Sequence, residues 1–338
     1  MTPSIRTIAR LAGTSVSSVS RVINNSGYAS PELRERVEAA IRSLHYTPSQ
    51  GARMMRGAPS RMIGLILPSI DVPFFGILAH SIEQELFECG FQTMICSTAE
   101  NAEHEARYIA MLLSQRIDGV IVASAFSDAR HFRPLAEAGI PMIAIDRDLP
   151  GIADASVMAD HEEGGRLMVR HLLAHGHRRI AIVGAPEHSQ PVQLRLAGIR
   201  TELAKAGLEP QAVALIGEHS FTETYRLARG VLETAPQVTA LIGITDIAAI
   251  ACIHAAHDLG FSVPGDYSVI GFDDLPEAMF VLPRLTTVAQ PIRGLGIEAT
   301  RRLADMIRMR EAGEENNVTE SLRMPVRLVE RQSVAAAR

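Results

Sequence analysis

The residues best suited to chemistry lie at the basic end of the chain. Residues 1–60 hold eight arginines (Arg6, Arg10, Arg21, Arg34, Arg36, Arg42, Arg53, Arg56) against Glu32, Glu35 and Glu38, a net charge of +5. The whole chain carries −5, so residues 61–338 carry −10. A basic head on an acidic body predicts a polyanion partner at the head alone. Within SVSSVSRVIN, a guanidinium such as Arg21 suits a bidentate contact to guanine, and the methyls of Val16 pack on a thymine methyl. Ser15 and Asn24 are placed for phosphates, which position without specifying sequence, and Ser15 also suits a helix N-cap. Further along, HLLAHGHRR spaces His171 and His175 at i, i+4 with His177 beyond, a pattern able to hold a metal. These histidines fall at a helix end, where the dipole also favours them. Asp273 and Asp274 are paired carboxylates, but neighbours in an extended segment point apart. No G-x-x-x-x-G-K-[ST], G-x-S-x-G or H-E-x-x-H is present, nor a nucleophile with an obvious base, so no catalytic residue is assigned.

These residues need elements to position them. IRTIARLA reads as a short helix with Ile5, Ile8, Leu11 and Ala12 on one face, ended by Gly13. A second helix, Val16 to Ile23, follows the Ser15 cap with Val19, Val22 and Ile23 inward. Val16 and Ser17 lie at its exposed N-terminal end. Two short helices about a glycine-containing turn make a helix-turn-helix, whose second helix enters the major groove. A third helix, PELRERVEAAIRSL, turns Leu33, Val37, Ala40, Ile41 and Leu44 inward.

From Arg61 the pattern changes to short apolar strands alternating with amphipathic helices. MIGLIL, QTMIC, DGVIVA and PMIAID form one series, and RIAIVG, ALIGI and SVIGF a second. That alternation predicts two doubly wound parallel sheets, with ligand at the carboxyl ends of the strands. At 338 residues the chain exceeds one comfortable core, so two or three structural units are expected. Cys89, Cys96 and Cys252, odd in number and widely spaced, read as buried small hydrophobes in a reducing compartment. No apolar run approaches the ~20 residues of a membrane span, and no secretory signal opens the chain, so a cytoplasmic protein without membrane contact is expected.

TIARLAGTSVSSVSRVIN followed by VEAAIRSLHYTPSQGARMMRG resembles the headpiece of the lactose-repressor (LacI/GalR) family. Thr7, Thr14 and Ser18 depart from the usual aspartate, valine and threonine. The resemblance implies a helix-turn-helix headpiece over 1–48, a hinge over 49–60 and a periplasmic-binding-protein type 1 core over 61–338. That core would have an N-lobe of about 61–160 and 292–321 and a C-lobe of about 161–291 and 322–332, with crossings near 160, 291 and 322. In the hinge it implies Met55 as the minor-groove wedge, with Arg53 and Arg56 as contacts to DNA. In the core it implies an effector site. Two aromatics, Phe74 and Phe75 of DVPFF beginning at Asp71, would sandwich a pyranose-like face. Arg147 after Asp146 resembles the Asp-Arg pair of ribose-type sites, whose guanidinium bonds sugar hydroxyls. Arg195, Asp246, Asp273 and Gln290 match further polar ligand or hinge positions. His219 and Phe221 share the place of a closing aromatic, the register between them left open. Val72, Thr245 and Pro191 stand where polar residues are frequent, which sets ribose and nucleobases back.

A sequence-specific transcriptional regulator, a repressor, is therefore expected. Its partners would be double-stranded operator DNA, a sugar or sugar derivative and a second copy of the chain, with no cofactor. Gly-His-Arg is common connecting sequence in the family, so no metal is assigned to the histidines. The alternatives are a solute-binding protein for transport and a regulator answering to a phosphocarrier protein. The chain ends without a leucine-heptad tail of the kind that builds tetramers.

Overall fold

The computed structural model describes residues 4–23, 26–46, 59–123, 129–218, 220–314 and 321–338. Asn24, Arg53, Met55, Arg56 and His219 lie outside them. The chain divides into two compact units, Met1–Ser60 and Arg61–Arg338.

The first unit packs α1 (Ile5–Leu11), α2 (Val16–Ile23) and α3 (Pro31–Ser43). The Ser4 hydroxyl accepts from Thr7 N–H at 3.3 Å, and the Ser30 hydroxyl from Leu33 N–H at 3.3 Å, so both flanking helices start on side-chain caps. Ile8, Ala9, Ala12, Val19, Val22, Val37 and Ala40 form the core. Leu11 departs from its expected place: it is 58% exposed while Ala9 is buried. At 100° per residue, Ala9 stands nearer the Ile5–Ile8–Ala12 stripe than Leu11 does.

In the second unit, strands and helices alternate as β1 (Met62–Leu67), α4 (Pro73–Glu88), β2 (Gln92–Ser97), α5 (Ala102–Ser114), β3 (Gly119–Val122), α6 (Arg133–Glu137), β4 (Met142–Ile145) and β5 (Ala155–Ala159). They continue as α7 (His161–Ala174), β6 (Ile180–Pro186), α8 (Gln190–Lys205), β7 (Ala212–Ile216), α9 (Phe221–Thr234), β8 (Ala240–Gly243), α10 (Asp246–Asp258) and β9 (Ser268–Asp273). The last elements are α11 (Glu277–Phe280), β10 (Thr286–Ala289), α12 (Ile292–Ala312), β11 (Leu322–Met324) and β12 (Arg327–Val329). One six-stranded sheet runs β11-β5-β4-β3-β1-β2, the other β12-β10-β9-β8-β6-β7. Apolar clusters cover both faces of each sheet, which is why strands such as β6 are buried at every residue instead of alternating.

Two details differ from the expected lobes. β11 pairs in parallel with β5, so residues 322–324 belong to the first lobe and the third crossing falls at 325–326, beyond residue 322. β12 then runs antiparallel to β10 as an edge strand, because so short a crossing leaves no room for the helix a parallel return needs. Cys96 and Cys252 are buried, and burial pushes their thiols up to about 11 and about 12, whereas Cys89 is only half-buried.

Candidate effector cleft

A cavity of about 560 Å³ opens between the two lobes at the carboxyl ends of their strands. From the first lobe it takes Asp71, Phe74 and Phe75 after β1, Glu100 after β2, and Asp146 and Arg147 after β4. The second lobe adds Gln190 and Arg195 of α8, Glu218, Phe221 and Asp273. Parallel strands all point the same way, so the residues that end them gather at one edge. Backbone strain gathers there too: Asp146 has φ 57°, Asp273 129° and Asp274 59°. Non-glycine residues adopt such angles only where surrounding contacts impose them.

Arg195 organises the floor. Its Nη1 donates to the Ile244 carbonyl at 2.8 Å and its Nη2 to Asp273 Oδ1 at 3.3 Å, and its guanidinium lies 3.7 Å from the centre of the Phe272 ring. Its Nε donates to His161 Nδ1 at 3.3 Å, and His161 Nε2 meets Asp146 Oδ1 at 2.7 Å. An arginine can only donate, so Nδ1 must be the bare nitrogen and the His161 proton sits on Nε2, directed at Asp146. The imidazole is therefore neutral, in keeping with the downward push that burial gives it against the charge of Asp146. Burial also raises Asp146, but His161 and Arg195 outweigh it and hold that carboxyl below the usual range. Asp273 is pushed up to about 6 by burial, against the opposing charge of Arg195. Arg147, only 4% exposed, is brought down to about 10 by burial, with Glu105 acting the other way.

Helix packing sets the position of Arg195. A Cβ on Gly165 of α7 would stand 2.2 Å from the Arg195 carbonyl oxygen, and one on Gly198 of α8 2.0 Å from the Glu162 carbonyl oxygen. Glycine at both places lets the two backbones touch.

The expected effector residues fare differently. Asp71, Phe74, Phe75, Arg147, Arg195, Phe221 and Asp273 line the cavity. Phe74 and Phe75 cannot sandwich a sugar between them: their ring centres are 5.0 Å apart and their planes 82° apart. A ring held between two others needs roughly 7 Å, twice a van der Waals spacing of ~3.5 Å, and consecutive helix residues do not face each other. Asp246 does not reach the wall. It is fully buried and accepts from Leu275 N–H at 2.7 Å and from the Thr287 hydroxyl, tying α10 to the segment after β9 and to β10. Gln290 is also withdrawn, donating to Asp273 Oδ1 at 2.6 Å from the second crossing. Asp274 turns away from Asp273 to pair with Arg331.

Two residues outside the expected set, His161 and Gln190, also hold the cleft together. His161 follows the first crossing in ADHEEGG, where nothing local shows that Asp146 and Arg195 converge on it. Gln190 Oε1 accepts from Asp148 N–H at 2.8 Å, joining the second lobe to the first. Its one signal was its place at the start of a helix following a strand.

In the first unit, Val16 is 42% exposed and Ser15, Ser17 and Arg21 are exposed. Ser15 Oγ accepts from Ser18 N–H at 3.1 Å and lies 2.7 Å from Ser17 Oγ, so the cap also engages the Ser17 hydroxyl. Arg21 Nη1 reaches the Tyr28 carbonyl at 3.4 Å.

Residues 4–49 match the family described as bacterial regulatory proteins, lacI family, and residues 60–332 match periplasmic binding proteins and the sugar binding domain of that family. A ribose operon repressor of Halalkalibacterium halodurans is 36% identical over 90% of this chain and 90% of its own length. The lac repressor dimer bound to operator and an anti-inducer is 28% identical, with TM-score 0.87 over 99% of this chain and all of that one. A LacI-family regulator of Enterococcus faecium with bound ribose is 31% identical, with TM-score 0.73 over 82% of this chain and all of its own. Both families describe regulators or binding domains, not enzymes, and the match over 4–49 falls on the basic head that a transport component would lack.

Proposed function

The chain belongs to the lacI family of bacterial regulatory proteins, and from that membership we propose that it is a cytoplasmic transcriptional repressor whose hold on operator DNA is set by a neutral sugar or polyol. The 1–48 headpiece, through Val16, Ser17 and Arg21 with Ser15 and Asn24 on phosphates, reads each half-site of a homodimer's operator. The 49–60 hinge contributes Arg53, Met55 and Arg56. Among the described residues, no helix is long and apolar enough to cross a membrane.

The charge of the cleft carries the effector class. Five carboxylates (Asp71, Glu100, Asp146, Glu218, Asp273) face it with two guanidiniums, and Arg195 is committed to Asp273 and the Ile244 carbonyl. Acceptors in excess suit hydroxyl donors and oppose a phosphorylated ligand. The volume lies within the range of small-ligand pockets. Phe75 on one wall and Phe221 on the other offer the apolar faces that Phe74 and Phe75 together cannot. Val72 and Pro191 add apolar wall, and the Thr245 hydroxyl is taken up capping α10 at Ala248 N–H, 3.1 Å away.

Bonds that span the lobes, Gln190 to Asp148 and His161 to Asp146, are what an effector would rearrange. A ligand shifts such an equilibrium only by its differential affinity for the two states, typically ~1–3 kcal/mol. Electrophoretic mobility shift of the intact chain on genomic fragments, at graded salt, should yield specific complexes. Arg21→Ala should cost about 1–3 kcal/mol at one base pair. Neutral sugars should raise the thermal midpoint of the intact chain and lose that effect in Arg147→Gln, which should still bind DNA. Stabilisation by sugar phosphates alone, or absence of specific DNA binding, would overturn the reading.

A further inference from the structure

We infer that the C-terminal end of α7 and the residue following β12 form a divalent-cation site of two imidazoles and one carboxylate, His171, His175 and Glu330, suited to Zn²⁺. One ligand atom from each lies within 4.8 Å of the others. Side-chain rotation would bring these atoms to the roughly 3.3 Å separation of a tetrahedral zinc with ~2.0–2.1 Å bonds. The i, i+4 spacing places both histidines on one face of the helix, their ring centres 4.5 Å apart.

Three independent features favour a metal over a plain helix end. His171 is 93% buried, and its Nε2 has no hydrogen-bond partner among the described residues. A buried polar atom left so is rare and asks for an explanation, such as an ion. His175 Nδ1 lies 2.9 Å from the His171 carbonyl and must donate to it, which fixes the tautomer and leaves the Nε2 lone pair available. That arrangement, one ring nitrogen donating to a backbone carbonyl, is how metal-ligating histidines are normally oriented. Finally, Glu330 has a fixed backbone: β12 before it pairs with β10, and Arg331 after it donates from its N–H to the Thr286 hydroxyl at 2.9 Å. His177, by contrast, is occupied by the Thr239 hydroxyl and the Ala335 carbonyl and is not a ligand.

The site lies at the amino-terminal edge of the second sheet, opposite the cleft, because α7 ends there before entering β6. The bound ion would clamp the C-terminal segment, whose Ala337 N–H already donates to the His175 carbonyl at 2.8 Å. The donor set of two nitrogens and one oxygen, with a position open to water, is one zinc accepts. The third ligand, Glu330, stands 155 residues beyond His175, so no local spacing reveals it.

The intact chain, carrying no histidine tag, should take up one Zn²⁺ per chain after dialysis, measured by elemental analysis and chelator competition, and its thermal midpoint should rise. Glu330→Gln and His175→Gln should each weaken Zn²⁺ binding at least tenfold and abolish the rise. Glu330 is exposed, so its variant should match the parent's midpoint in chelator. His257→Gln, a change to an exposed histidine elsewhere, should bind as the parent does. Failure of the parent to retain stoichiometric Zn²⁺, or equal affinity in both ligand variants, would overturn the site.

Discussion

Replacing Arg195 with methionine removes the cation facing Asp273 while keeping an apolar stem over the Phe272 ring. The Ile244 carbonyl and His161 Nδ1 then lose the Arg195 donor, and Asp273 Oδ1 keeps only the neutral Gln290 amide. Breaking a buried pair by deleting one partner costs about 3–5 kcal/mol, because the remaining charge stays buried. Unfolding entropy of ~2.1 cal/mol/K per residue, taken over residues 61–338, makes that a fall of about 5–9 °C in thermal midpoint. The loss should depend on pH. Asp273, already up at about 6 beside Arg195, rises further without it, so in the variant it becomes neutral as pH falls and the deficit shrinks. Calorimetry at pH 8 and pH 5 should show the larger deficit at pH 8. Adding Asp273→Asn to Arg195→Met should restore more than half of it. A midpoint change under about 2 °C at pH 8, or no recovery in the double variant, would refute the charge pairing as what holds the cleft floor.

Asp246 offers a second pH test. Burial and the charge of Asp273 push it up to about 8, against an ordinary carboxyl value of 3.8, so the folded chain holds this proton where the unfolded chain has lost it. Its stabilisation is therefore full below about pH 4 and lost as pH rises through 8. Asp246→Asn can still accept from Leu275 N–H and turn its amide toward Thr287, and should flatten the stability decline between pH 5 and 8 by up to about 4 kcal/mol. Equal slopes in urea titrations of parent and variant would contradict this. Gly198→Ala should cost about 1–3 kcal/mol or more by overpacking α7 against α8, and should impair effector-induced stabilisation because Arg195 moves with α8. Gly230→Ala, in the middle of α9 with open space around its Cβ, should instead stabilise by up to ~1 kcal/mol. Finding the two alanine variants equally stable would disprove the close-approach argument.

The chain's local pattern determined a great deal. Helical spacing in residues 5–44, the charge step near residue 60 and the alternation of apolar runs with amphipathic stretches specify a helical head and two parallel sheets, because period and composition are properties of short segments. The ends of β1, β4 and β9 were legible as site positions for the same reason: parallel strands collect their carboxyl ends at one edge. What each polar residue does there was settled by contacts between segments far apart in sequence. Asp246 and Asp273 look alike in sequence, each beside a buried strand, yet one is sealed under Leu275 and Thr287 while the other faces the cleft. Phe74 and Phe75 read as a pair of plates, but neighbouring positions on one helix gave them crossed planes. The tautomer of His161 follows from Arg195, 34 residues on, and the meeting of His171 and His175 with Glu330 depends on β12 closing the second sheet. Sequence decides which segments can bury a face; only the packed sheets decide which buried polar groups meet, since a hydrogen bond depends on distances of about 3 Å that no periodicity encodes.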